Sequence, residues 1–338
     1  MLILMKSNPS KEQVDGVVAK ITQLGYKPHL IPGEHDVAVG ITGNETALDP
    51  ETFIALDGVK ECIPVTKPYK LAGRAFKKTD TSFQVGNATF GPGSFVVIAG
   101  PCAVESEEQT LRIARAVKAA GAAVLRGGAY KPRSSPYAFR GMGVDGLKIL
   151  KLASKETGLP VITEALDPES LEKVYEYADI IQLGTRNMQN FSLLDLVGKL
   201  DKPVMLKRGM SATIEEWLQA AEYIMSGGNT KVILCERGVR SFDTNTRNMV
   251  DLGGVLAVRN LSHLPVCVDP SHGTGKRFMV TPMSRAALAL GANAVMIDVH
   301  DRPAEALCDG PQAILPDEFA ELVKTLRQLA PPLGLKLA

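Results

Sequence analysis

Cysteine is sparse, with five residues in 338 and no Cys-x-x-Cys pair, which leaves neither a disulfide framework nor a structural zinc knuckle. An odd, widely spaced set of thiols points to a reducing compartment, the cytoplasm. Net charge is also missing: at +1 the chain has no overall field to draw it to nucleic acid or an anionic membrane. Any anion site must therefore come from local clustering of Lys and Arg. Long apolar runs are absent too. The opening Met1 to Met5 stretch is broken by Lys6 and Asn8, too short for a signal-peptide core, and nothing approaches the roughly 18 residues of a membrane span. What is present is an ordinary globular balance, 45% apolar and 22% charged, able to bury a large core. The length suits a (β/α)8 barrel of about 250 residues plus a module of roughly 70.

Residues 1 to 65 predict that module. Leu2 to Met5 reads as a strand. Val14, Val17, Val18, Ile21 and Leu24 recur at helical spacing, and Val37 to Ile41 reads as a second strand. Thr52 to Leu56 and Val59 to Pro64 close the pattern of a small α+β sandwich of ferredoxin type. Residues 66–93 are expected to be a Lys-rich linker followed by a hairpin around Gly86-Asn87 that could plug a barrel's bottom.

Residues 94–338 alternate short β-rich apolar runs with helical stretches. The runs are FVVIA from 95, AAVLR from 122, PVITEA from 160, DIIQLG from 179, PVMLKRG from 203, KVILCERG from 231, PVCVDPSH from 265 and AVMIDVH from 294. Eight such runs, and no Gly-rich dinucleotide fingerprint after the first, favour a closed parallel barrel over an open doubly wound sheet.

A barrel of this kind works at the C-terminal ends of its strands, and here those ends are polar. In chain order they carry Cys102; Arg126 with Lys131 and Arg133; Glu164; Gln182 with Arg186; Lys207 with Arg208; Glu236 with Arg237; Asp269 with His272; and Asp298 with His300. Any one of these could be a solvated loop charge, but the whole set is hard to read that way. Arg126, Lys131, Lys207 and Arg237 converging on one mouth need anions to balance them; a phosphate plus a carboxylate would do so. Cys102, His272, Asp298 and Asp309 form a mixed sulfur, nitrogen and oxygen set that favours a divalent metal of the Mn, Fe, Co or Zn class over Mg or Ca. A buried inert thiol and a capping histidine are the bland alternative.

These motifs resemble the 3-deoxy-D-arabino-heptulosonate 7-phosphate (DAHP) synthase family, in its short bacterial form with an N-terminal ferredoxin-like regulatory domain. The resemblance spans the chain and rests on AGPCAVES (99–106), LRGGAYKPRSSPYAFRG (125–141), TEA (163–165), QLGTRNMQN (182–190), LKRG (206–209), LCERG (234–238) and VDPSHGTG (268–275). It implies condensation of phosphoenolpyruvate with erythrose 4-phosphate, releasing phosphate, on the shikimate route to aromatic amino acids. By the same resemblance Cys102, His272 and Asp309 ligate the metal, and Asp298 stands where the family usually places Glu. Arg126, Lys131, Lys207 and Arg237 hold phosphoenolpyruvate, with Gln182 and Asp269 completing the substrate site. The Lys131-Pro132-Arg133-Ser134-Ser135 segment holds erythrose 4-phosphate. Lys131 and Glu164 are its candidates for proton handling, with Cys102 and His272 beside them at the metal.

The family also implies feedback inhibition by phenylalanine or tyrosine, a homotetramer, and a possible chorismate mutase partner. Three rivals are set beside this reading. A metal-dependent aldolase that merely cleaves a keto-acid phosphate would explain the metal but not four cations arranged for two anionic groups on one substrate. The octulosonate 8-phosphate synthase carries Asn-Arg-Ser-Ser where this chain has Lys-Pro-Arg-Ser-Ser. A non-catalytic amino-acid-sensing barrel would tolerate drift such as Asp298.

Overall fold

The computed structural model describes residues 1–33, 37–44, 48–63 and 68–338, which fall into two units, Met1–Thr79 and Asp80–Ala338. Pro64 and the first two residues of the expected linker lie outside the described residues. Among those described, no helix is long and apolar enough to cross a membrane.

In the first unit β1 (Leu2–Met5), β2 (Lys27–Pro32), β3 (Val37–Thr42) and β4 (Val59–Ile63) form an antiparallel sheet in the order β2-β3-β1-β4. The helix Lys11–Gln23 starts at Ser10, whose side chain accepts from Gln13 N while Gln13 reaches back to the Ser10 amide, a reciprocal cap that satisfies two otherwise orphaned donors. Its buried Val17 and Ile21 meet Ile3, Met5, Val39, Ile41 and Phe53 in one cluster. β2 went unread in the sequence because Pro28 and Pro32 lie within it. Among the described residues it is an edge strand paired only with β3, where a missing N–H costs no ladder bond. Residues 68–79 group with this unit, and the Phe76 ring occupies the space that a Cβ on Gly40 of β3 would need.

The second unit is a closed barrel with flanking helices. Its strands are β7 (Ser94–Gly100), β8 (Val124–Arg126), β9 (Val161–Ala165), β10 (Ile180–Leu183), β11 (Val204–Lys207), β12 (Val232–Glu236), β13 (Val266–Val268) and β14 (Ala294–Asp298), each parallel to its neighbour. β14 closes on β7, with Ala294 opposite Val96 and Asp298 opposite Gly100. The strands read as continuous apolar runs because helices cover their outer faces while side chains fill the interior. Val96, Ile98, Ile162, Met205, Ile233 and Met296 pack inside. The hairpin of β5 (Phe83–Val85) and β6 (Ala88–Phe90) adds Val85, Ala88 and Phe90 to that core. β15 (Lys336–Leu337) lies against the start of β7. With the N-terminal ends of the strands in this apolar plug, the polar residues are left to gather at the C-terminal ends.

Candidate active site

Apolar strand interiors end abruptly in charge, and Arg126, Lys131 and Lys207 each have a specific partner. Arg126, the last residue of β8, directs Nη1 to Asp298 Oδ1 at 2.6 Å and to the Pro101 carbonyl at 3.0 Å. Lys207, the last residue of β11, donates to Asp269 Oδ2 at 2.6 Å. Lys131 donates to the Cys102 carbonyl at 2.9 Å and lies 3.1 Å from Cys102 Sγ. Burial pulls each of these cations toward its neutral form. Asp298 and Cys102 outweigh it at Arg126, Cys102 and Cys308 at Lys131, and Asp269 at Lys207, so all three stay above their ordinary values. Arg237 is different: burial dominates and lowers it. It donates to the Gly238 carbonyl at 3.5 Å, and to the Asn248 amide oxygen at 3.1 Å once that amide is turned to face it.

These four cations open into one cavity of about 360 Å³, lined also by Pro132, Arg133, Ser134, Ser135, Glu164, Gln182 and Arg186. Seven Lys and Arg side chains line it against two carboxylates, Glu164 and Asp309. Arg126, Lys131, Lys207 and Arg237 are the buried ones, and with Asp298 and Asp269 pairing two of them the remaining excess calls for anionic ligands. Arg126 Nε is buried and has no hydrogen-bond partner among the described residues, an orphan donor in the cavity's own lining. Glu164 accepts from Gln182 Nε2 at 3.1 Å. Arg186 reaches Ser134 Oγ at 3.4 Å.

Asp269 sits at 0% exposure beneath Lys207 and His272. It caps the Pro270–Thr274 turn: Oδ1 accepts the His272 backbone N–H at 2.9 Å and Oδ2 meets His272 Nδ1 at 2.8 Å. One carboxylate therefore fixes both the turn and the ring, leaving Nε2 toward Cys102 Sγ at 3.7 Å, Asp298 Oδ2 at 3.6 Å and Asp309 Oδ2 at 3.7 Å. Burial lowers the imidazole's proton affinity, but Asp269 and Asp298 outweigh this and lift His272 to about 9. Asp309 adopts a left-handed backbone, φ 54°, uncommon for a non-glycine residue and typical of constrained functional positions. Burial works against its charge, yet His272, Arg247 and Lys131 hold its carboxyl well below the usual range.

Sulfur, nitrogen and oxygen donors 3.3 to 3.7 Å apart match a divalent metal's shell. Bonds of about 2.0–2.3 Å at tetrahedral angles put neighbouring donors about 3.3–3.8 Å apart. The carboxylate behind His272 Nδ1 is the usual device for aiming a metal-binding imidazole. The residues present thus fit a metal of the class expected from the donor set.

Two participants escaped the sequence reading. Cys308, in the loop after β14, places Sγ 3.7 Å from Cys102 Sγ and 3.5 Å from Asp309 Oδ2. Its hydrogen bond with Cys102, opposed by burial and aided by Lys131, brings its thiol down to about 7. The same hydrogen bond and burial push Cys102 well up. Arg247 bonds Asp309 Oδ1 at 3.0 Å and Gln312 at 3.2 Å. Neither residue lies at a strand end or within a quoted motif. Conversely, Arg208 and Glu236, both strand-end residues, pair with each other at 2.9 Å; Arg208 also holds Asp251, and neither lines the cavity. His300 faces Glu105 at 3.3 Å.

The chain is similar to known proteins. Residues 77–333 match the model of the DAHP synthetase I family, and residues 1–67 match the DAHP synthase ferredoxin-like domain. A phospho-2-dehydro-3-deoxyheptonate aldolase of Thermotoga maritima is 46% identical over 337 residues, all of both chains. The crystal structure of a Thermotoga maritima protein of that name superposes with a TM-score of 0.80 at 45% identity, over 100% of this chain and 99% of that one. A 2-dehydro-3-deoxyphosphooctonate aldolase of Acidithiobacillus ferrooxidans is 32% identical over 253 residues, 70% of this chain and 89% of that one.

Proposed function

The chain belongs to the DAHP synthetase I family, and on that footing we propose that its barrel mouth joins phosphoenolpyruvate to erythrose 4-phosphate with release of phosphate. The observation that carries this reading is the convergence of Arg126, Lys131, Lys207 and Arg237 on one cavity. Two anionic groups on one three-carbon substrate account for four buried cations better than a single phosphate does. Arg133, Ser134, Ser135 and Arg186 on the same lining supply a second phosphate site, suited to the four-carbon sugar.

Carbon 3 of the enol phosphate attacks the sugar aldehyde, water adds at carbon 2, and phosphate leaves by C–O cleavage. The cationic cradle fixes both anionic groups, which favours reaction chiefly through positioning. Lys131 and Glu164 border the same space and are suited to moving protons at the aldehyde oxygen and the attacking water. Cys102, His272 and Asp309, with Asp298 near, would hold a divalent metal that supplies Lewis-acid polarisation of the aldehyde. Phosphorylated substrates and free thiols suit a cytoplasmic step of the shikimate route. The ferredoxin-like domain would bind an aromatic amino acid as feedback effector.

The test is phosphate release from phosphoenolpyruvate by chelator-treated protein, offered erythrose 4-phosphate or arabinose 5-phosphate before and after adding Mn²⁺. Turnover restored by metal with the four-carbon sugar alone is expected. Preference for the five-carbon sugar would assign the octulosonate reaction. Silence with both sugars under Mn²⁺, Fe²⁺, Co²⁺ and Zn²⁺ would overturn catalysis.

A further inference from the structure

Asp298 and Cys308 solve one problem together. Asp298 takes the place where the resemblance leads one to expect the longer Glu, and both its oxygens are already engaged. Oδ1 accepts from Arg126 Nη1 at 2.6 Å and Oδ2 from Gln312 Nε2 at 2.6 Å. Using either oxygen as a metal ligand would weaken a short, buried hydrogen bond, one of them charge-assisted and the more costly to lose.

Two candidate donor groups share Cys102: one adds His272 and Asp298, the other Cys308 and Asp309. In the second group Asp309 holds Arg247 through Oδ1 and turns Oδ2 to the two thiols. Cys102 Sγ lies 3.7 Å from Cys308 Sγ and 3.3 Å from Asp309 Oδ2, and Cys308 Sγ lies 3.5 Å from that oxygen. His272 Nε2 joins from 3.7 Å to both Cys102 and Asp309. These five separations fall within the roughly 3.3–3.8 Å of a tetrahedral shell; His272 belongs to the first group and Cys308 to the second, so binding one metal must bring Nε2 and Sγ together. A cation faces each sulfur, Lys131 at 3.1 Å from Cys102 and Arg133 at 2.5 Å from Cys308, so two thiolates can coexist there.

We propose that Cys308 supplies a second thiolate to the metal centre, which is held by Cys102, Cys308, His272 and Asp309, while Asp298 stays outside the shell as the counter-ion of Arg126. This inference rests on the divalent-metal reading of the site. Two sulfurs make the centre thiophilic, favouring Zn²⁺ and Cd²⁺ over Mn²⁺. Arg133 then touches both a ligand and the cavity lined by the proposed sugar-phosphate site, so metal identity and sugar binding are linked through one side chain.

The experiment is a Cd²⁺ titration of the full-length, chelator-treated protein under a phosphine reductant, following the ultraviolet thiolate-to-cadmium charge-transfer band. The proteins are wild type, Cys308→Ser and Cys102→Ser. One Cd²⁺ per chain is expected, with the band falling to about half in each variant because each loses one of two sulfur ligands. The preference for Zn²⁺ over Mn²⁺ should drop at least about tenfold in Cys308→Ser. A full wild-type band in Cys308→Ser, or a band abolished by Cys102→Ser alone, would leave the metal reading standing and overturn the second thiolate. No band in wild type would overturn both. Should Cys308→Ser fold poorly, X-ray absorption of the zinc-loaded wild type decides: two sulfurs at about 2.3 Å support the proposal and one defeats it.

Discussion

Arg126 Nη1 lies 2.6 Å from Asp298 Oδ1 with both side chains buried, so the protein supplies one counter-charge to its own anion site. Removing the acid while keeping the base leaves an uncompensated buried cation, a change that costs about 3–5 kcal/mol. Asp298→Ala should therefore melt well below wild type. Inorganic phosphate should recover more of that loss than it adds to wild type, because Arg126 then lacks its internal partner. Thermal unfolding with and without phosphate measures both. Equal phosphate-induced shifts in the two proteins would remove Arg126 from the anion site.

Gly184, just past β10, has no room for a side chain: a Cβ would stand 1.9 Å from Glu164 Oε1 and 2.8 Å from its Cδ. Its backbone is ordinary, φ −72°, so alanine adds crowding without backbone strain. Gly184→Ala should push Glu164 off its Gln182 partner. A displacement of an ångström in a positioned group costs on the order of 100-fold in rate. Steady-state kcat/KM beside the melting temperature separates the outcomes; an unchanged rate would show that Glu164 takes no part in turnover.

Strand order and the barrel's polar end were legible because burial on both faces writes each strand as an apolar run that stops at charge. The partnerships at that end were not legible. Arg208 and Glu236 sit at strand ends as Lys207 and Arg237 do, yet Arg208 pairs with Glu236 and Asp251; only the third dimension separates structural from cavity-lining charge. Cys308 carries no local signal, since its role comes from a loop that returns to Cys102, 206 residues away in sequence. β2 was hidden by two prolines that an edge position tolerates.

His29 on β2 sets a pH dependence for the N-terminal unit. Burial, with Lys27 adding to it, lowers its pKa below the ordinary value, and Nε2 lies 2.7 Å from Thr42 Oγ1. The unfolded chain therefore binds the proton first as pH falls. Stability from this group is full above the ordinary histidine range and is lost as pH drops through it toward the folded value. Melting curves from about pH 8 down to about pH 5 should show less acid loss for His29→Gln than for wild type. Parallel curves would exclude His29 as the source.

Every residue lining the cavity lies between Arg126 and Asp309, and the barrel has its own apolar core, separate from the cluster of Ile3, Val17, Ile21, Val39 and Phe53. Deleting residues 1–79 therefore removes no side chain proposed to touch substrate and cuts at the boundary between the two units. The shortened protein should fold, retain condensation activity and lose its response to phenylalanine or tyrosine, as the effector reading of the small domain requires. Initial rates across a range of each amino acid, in full-length and shortened protein, make the comparison. Inhibition surviving the deletion would put the effector site within the barrel, and a full-length enzyme indifferent to both amino acids would leave the small domain with a purely structural role.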